Sequence, residues 1–157
     1  MSWIREQFTA TDLQGLLFRL SQHVKAFQGL TPAEISDLLG SSEKCTYAPG
    51  AHIVKEGNIG THMYIILGGE ARVLKTGRDG QVELARLAPA DSFGEMALAD
   101  REARSASVVA DTDCVLVRIN DQAIHSRPET GLKVYRNIAK VLSARLRAAD
   151  ELLAWRL

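Results

Sequence analysis

Apolar residues recur at two different periods along the chain, and the change of period divides it. Leu13, Leu16, Leu17, Leu20, Val24 and Phe27 follow steps of three and four. That is one face of an amphipathic helix, and it predicts a helix over about 11–25. Thr31-Pro32-Ala33-Glu34 reads as a second helix start, with Thr31 as N-cap, Pro32 in the first turn and Glu34 closing a capping box. Ile35, Leu38 and Leu39 supply its apolar face, and Gly40 ends it. From about residue 44 the period becomes two. Runs at 45–47, 52–54, 63–67, 71–74, 82–87, 107–110 and 114–119 are rich in β-formers, separated by turns at Pro49-Gly50, Glu56-Gly57, Gly68-Gly69, Asp79-Gly80 and Asp111-Thr112-Asp113. Many short strands between glycine-bearing turns predict an antiparallel jelly roll. Asn120 caps a short helix to about 125, and 128–155 has helix-former composition with no interior proline and no glycine after Gly131.

The fold class expected is therefore mainly β with flanking helices: helices in 11–40, an antiparallel β-roll over 44–119 and C-terminal helices over 120–155. At 157 residues the chain reads as a single domain with room for a real core. Nineteen Lys and Arg offset nineteen Asp and Glu. No global field draws the chain to nucleic acid or to an anionic membrane, and phosphate contacts dominate nucleic-acid affinity. The start, Met1-Ser2-Trp3-Ile4-Arg5-Glu6, lacks the apolar core of a signal peptide. No run approaches the roughly 18 apolar residues of a membrane span. Cys45 and Cys114 show neither CxxC nor zinc spacing, and both fall in strand-like runs as buried free thiols, which fits a reducing cytoplasm.

The candidate chemistry lies in Phe93-Gly94-Glu95-Met96-Ala97-Leu98, followed nine residues after the glutamate by Arg104-Ser105-Ala106. Gly94 lets backbone approach closely, and the peptide N–H groups after it can open a helical turn toward a phosphate. Arg104 offers a planar fork of donors, Ser105 a hydroxyl, and Glu95 an acceptor for a sugar hydroxyl. The bland reading of the same residues is a surface turn carrying a solvated Glu–Arg pair.

This set resembles the phosphate-binding cassette of cyclic-nucleotide-binding domains, as in the catabolite activator family, protein kinase A regulatory subunits and nucleotide-gated channels. The resemblance covers about 27–146 and includes Glu56-Gly57-x-x-Gly60-x-x-Met63-Tyr64-Ile65-Ile66-x-x-Gly69. It implies that Gly94 and Glu95 hold the ribose 2′-hydroxyl, that Arg104 neutralises the cyclic phosphate, and that Ser105 and Ala106 donate to it. Phe93, Met96 and Ala97 complete the cassette, with Met96 and Ala97 contributing backbone. Val73 and Leu84 match positions beside ribose and base, and are read as core residues first. The chain departs from the family at Thr61, where an aspartate is usual, and at Ala90-Asp91-Ser92, where Gly-Asp is usual.

Base recognition is less marked. The Thr-Ser pair that reads adenine in the catabolite activators falls on Ala149-Asp150. Arg145, one turn earlier, is either a cation–π lid over the base or a solvated helix residue. A hydroxyl at Ser105 is associated in kinase relatives with tolerance of guanine, so cAMP is the first ligand expected and cGMP the second, with no further cofactor. Two apolar rows run along the last helix: Val134, Ile138, Val141, Arg145, Ala148, Leu152 and Trp155, and Leu142, Leu146, Ala149 and Leu153. One row can lie on the roll and leave the other for a second copy of the chain, or both can cover the domain. His23, His52, His62 and His125 are scattered, and no nucleophile–base arrangement stands out, so no catalysis is read. The expected function is a cytoplasmic regulatory module that binds a cyclic mononucleotide and moves its last helix. The alternatives are a dimerisation domain without ligand affinity and a roll-shaped metal or haem sensor. No helix-turn-helix segment follows the roll and no transmembrane helices precede it, so the expectation is a stand-alone module or a domain of something larger.

Overall fold

A computed structural model describes residues 3–156. Its order is β1 (Trp3–Gln7), α1 (Ala10–His23), a 3-10 turn (Lys25–Phe27), α2 (Pro32–Gly40), β2 (Glu43–Tyr47), β3 (His52–Val54), β4 (His62–Gly68), β5 (Ala71–Gly77), β6 (Gly80–Leu87), β7 (Ser92–Phe93), α3 (Met96–Ala99), β8 (Ser107–Ala110), β9 (Cys114–Asn120), α4 (Asp121–His125) and α5 (Pro128–Arg156). The strands form two antiparallel sheets, ordered β1-β2-β9-β4-β7 and β3-β8-β5-β6. This is the expected roll flanked by helices at both ends.

Capping chemistry sets the helix starts. The Thr31 side chain accepts from Glu34 N (3.2 Å) while Glu34 accepts from Thr31 N (3.0 Å), as the motif predicts. A second capping box, Thr9 with Asp12, opens α1. The uninterrupted apolar run of β4 is explained by burial on both sides. Met63 and Ile65 face a core of helical residues that includes Leu20, Phe27, Ile35, Leu39, Ile124 and Val134. Tyr64 and Ile66 face the second core, between the sheets, with Cys45, Phe93, Val108 and Leu116. Strands buried on both faces lose polar alternation. Both cysteines are buried, and among the described residues they form no disulfide.

Two expectations change. β1 was not anticipated: with Arg5, Glu6 and Gln7 it has little apolar pattern, and it is an edge strand defined by its pairing with β2, Trp3 opposite Tyr47. β6 is exposed from Gly80 to Arg86, with only Leu87 buried. It is the outer strand of its sheet, so Leu84, at 56% exposure, is not a core residue. Val73 on the neighbouring β5 is half-buried against the second core.

The first half of α5 buries apolar residues against the domain and the second half does not. Val134 and Ile138 are buried, Val141 and Leu142 half-buried, and every residue from Ser143 to Arg156 is exposed. The buried Asn137 amide donates to Ala26 O (3.0 Å) and Gln28 O (2.8 Å). Lys133 and Thr130 donate to Glu34 of α2 (2.6 and 2.9 Å). The apolar members of both rows are therefore exposed beyond residue 142. No helix among the described residues is long and apolar enough to cross a membrane.

Candidate functional site

Phe93 anchors the site. It pairs with Tyr64 across β7 and β4, and their rings stack with centroids 5.0 Å apart, inclined by 7°. The chain then turns at Gly94, whose φ of 74° is a conformation side chains resist. A Cβ there would also lie 2.6 Å from Arg104 Nη1 and 3.2 Å from His62 O. Gly60 flanks the same guanidinium from the other loop, where a Cβ would meet Arg104 Nε at 2.7 Å. Two glycines thus form a slot for one arginine.

Arg104 is seated by backbone on both sides. Its N–H donates to Asn58 O (2.8 Å), and its carbonyl accepts from Gly57 N (2.9 Å). Its guanidinium donates to Gly94 O through Nη1 (3.1 Å) and to His62 O through Nη2 (2.8 Å). Burial pulls its pKa below the ordinary arginine value; Arg118 acts in the same direction, and Tyr64 and Glu95 act against it. The two carbonyls that accept from the guanidinium are neutral, and among the described residues no carboxylate forms a salt bridge with Arg104.

Glu95 is 3% exposed. Its Oε1 accepts from Arg145 Nη1 at 2.7 Å. The sequence left Arg145 as a lid over a base or a solvated residue; instead it reaches back from α5 to pair with the buried carboxylate. A carboxylate held this far from water requires such a partner. Ala97 is buried and Met96 largely exposed. Ser105 is exposed and Ala106 half-buried, and the Ser105 carbonyl accepts from Lys75 Nζ (2.6 Å). The structure therefore gathers Phe93, Gly94, Glu95, Arg104 and Arg145 through direct contacts. Leu84 stands more than half exposed on the outer strand β6.

Several participants were not singled out beforehand. Gly60 was quoted only as part of a strand motif, yet it seats Arg104. Lys75 braces the Ser105 backbone, a contact across 30 residues that no local pattern signals. Tyr135 of α5 donates to Leu98 O of α3 (3.0 Å), and its hydroxyl lies 2.5 Å from His125 Nε2. The last helix thus holds both ends of the cassette turn, through Arg145–Glu95 and Tyr135–Leu98.

Comparison with known proteins agrees with this arrangement. Residues 44–127 match the family model of the cyclic nucleotide-binding domain. The chain is 35% identical over 125 residues to the cyclic AMP receptor protein of Thermus thermophilus, covering 79% of this chain and 58% of that one. It is 36% identical over 102 residues to a cAMP-dependent protein kinase regulatory subunit of Colletotrichum orbiculare, covering 65% and 26%. The crystal structure of the Thermus thermophilus catabolite activator protein superposes with a TM-score of 0.77 at 34% identity, covering 83% of this chain and 62% of that one. The chain thus spans less than two thirds of these relatives. A matched family model over more than half the chain, a relative of this identity and a shared fold lead to one conclusion: the protein belongs to the cyclic nucleotide-binding domain family.

Proposed function

We propose that the protein binds a cyclic mononucleotide, cAMP ahead of cGMP, and signals through the position of α5. The observation that carries this reading is the Arg145–Glu95 pair: the carboxylate suited to a ribose hydroxyl is joined directly to the last helix. Arg104 directs two of its donors at the neutral carbonyls of Gly94 and His62. A cyclic phosphate offers charged oxygens instead, and charge-assisted pairs are roughly twice as strong as neutral ones. Ligand entry is therefore an exchange of weaker contacts for stronger ones.

A ribose hydroxyl donating to Glu95 adds a second partner to a carboxylate already oriented by Arg145. Ligand thereby strengthens the anchor between cassette and helix and favours the docked position of α5, a shift of population between two helix positions. The open rows beyond residue 142 suit a second copy of the chain, so the moved helix is also the dimer contact.

A second reading has one observation in its favour. Arg145 already occupies Glu95, which is how a domain that had lost its ligand and kept its dimer helix would look. Calorimetric titration separates the two. The binding reading expects saturable heats for cAMP and weaker ones for cGMP, reduced for 2′-deoxy cAMP and in Glu95→Gln. No heat with any cyclic mononucleotide leaves the dimerisation domain.

A further inference from the structure

The guanidinium of Arg104 lies between Gly60 and Gly94, and on its Gly60 side a cleft of about 290 Å³ opens between β3 and the inner face of β2, β4 and β9. Glu95, Ser105, Val73 and Leu84 take no part in it. Arg104, Arg118, Lys55, His52, His62 and Tyr64 all line it, and among the described residues no carboxylate side chain does. Arg118 projects into this end of the roll and is 15% exposed. It donates through Nε to the Tyr64 hydroxyl (3.2 Å) and through Nη1 to Glu43 (3.3 Å).

The charges facing the cleft do not balance. Glu43 offsets Arg118 from the strand next to it, Glu95 is paired with Arg145, and Arg104 has only backbone carbonyls. Two guanidinium groups and the Lys55 ammonium line the cleft, and among the described residues no carboxylate side chain lines it with them. Like charges held in a partly desolvated space repel unless an anion sits among them. Burial first, and Arg118 to a lesser extent, pull Arg104 below its ordinary value. Burial acts downward at Arg118 too, but the Tyr64 hydroxyl and Glu43 outweigh it and hold that group above its own, so Arg104 is the less compensated of the two. The size of the space sits at the small end of ligand pockets, about 300–1,000 Å³. Planar guanidinium forks and a phenol hydroxyl suit tetrahedral oxygens.

We propose that this cleft is a second anion site that takes a tetrahedral oxyanion, as free phosphate or sulfate or as the phosphate group of a small metabolite, between Arg104 and Arg118. The site stands whether or not the chain binds a cyclic nucleotide. If it does, a consequence rests on that reading. Arg104 borders both sites, so an anion in the cleft competes for the guanidinium that the cyclic phosphate needs, and weakens nucleotide binding.

The test is a titration of the isotope-labelled protein with inorganic phosphate, followed by backbone amide shifts over 53–60 and at Arg118, with chloride at matched ionic strength as control. The expected result is a saturable phosphate shift in those amides that chloride does not reproduce. It should weaken at least tenfold in Arg118→Gln. Ile59→Glu sets a carboxylate at the cleft from an exposed position. It should weaken the shift likewise, and it keeps the proposal testable if Arg118→Gln fails to fold. Sulfate and methyl phosphate distinguish the sources: equal binding of all three marks a free-oxyanion site, and tighter binding of methyl phosphate marks the phosphate of a metabolite. A phosphate response identical to that of chloride, or one that survives in both variants, overturns the site. In a second arm, phosphate should raise the apparent Kd for cAMP in the parent and not in Ile59→Glu. Phosphate binding with an unchanged cAMP Kd overturns the competition, and absence of cAMP binding overturns the nucleotide reading without touching the anion site.

Discussion

Arg104 shows how one side chain can be specified by the residues that leave room for it. Gly60 and Gly94 are small because the guanidinium lies between them, and its partners are carbonyls that a phosphate can outcompete. Arg104→Ala should therefore lose about 2–5 kcal/mol of cAMP affinity, the cost of truncating one side of a desolvated charged pair. It should keep the parent's circular dichroism, since the core residues do not depend on it. Equal calorimetric affinities in parent and variant would remove Arg104 from the phosphate role. Ala90 carries a different signature. It stands where the family usually has glycine, and its φ of 79° places a Cβ-bearing residue in the left-handed region. That conformation costs roughly 1–2 kcal/mol for an L-residue, partly offset by the looser unfolded chain of a glycine variant. Ala90→Gly is expected to raise stability by about 0.5–1 kcal/mol, read from the denaturant midpoint. A lower midpoint would show that its methyl contributes more to the first core than the strain costs.

At the scale of elements, α5 is tied to the domain over its first half by buried Val134 and Ile138 and by polar contacts, and over its exposed second half through the Arg145–Glu95 pair. One tie is pH-dependent. Hydrogen bonding from Lys133, then from the Thr31 backbone and the Thr130 hydroxyl, holds Glu34 down to about 2 from an ordinary 4.5. A depressed carboxylate contributes stability above its unfolded value, and that contribution is lost as pH falls toward the folded one. The stability difference between the parent and Glu34→Gln should be largest near neutrality and shrink from about pH 4.5 to about pH 2. A pH-independent difference across that window, measured by urea unfolding, would contradict it. Beyond residue 142, Leu146, Leu152, Leu153 and Trp155 are exposed, Trp155 at 90%. Exposed apolar rows at heptad-like spacing favour helix pairing. Leu146→Asp is expected to turn a dimer into a monomer in analytical ultracentrifugation without changing the roll. A parent that is monomeric at high concentration would assign the row elsewhere.

Across the whole molecule, much of the architecture could be read in advance because local rules and tertiary packing agree. The Thr31–Glu34 capping box, the change of apolar period near residue 44 and the glycine turns all appear where the chain bends or changes element. β1 escaped notice because its stability comes from a partner strand rather than from its own pattern. Leu84 was misread because an edge strand can carry apolar residues without burying them. Glu95 and Arg104 stood out because they lie close together around a glycine. The role of Arg145 was hidden because its partner is 50 residues away and is set by the angle of α5. That contact is what joins binding to output, so the decisive measurement is amide hydrogen exchange along 134–153 with and without saturating cAMP, in the parent and in Arg145→Gln. The account predicts slower exchange on ligand binding in the parent, and a much smaller change in the variant even when it is saturated, because docking of the helix and occupancy of Glu95 are coupled. Exchange in α5 that is unchanged by saturating cAMP in the parent would contradict the coupling.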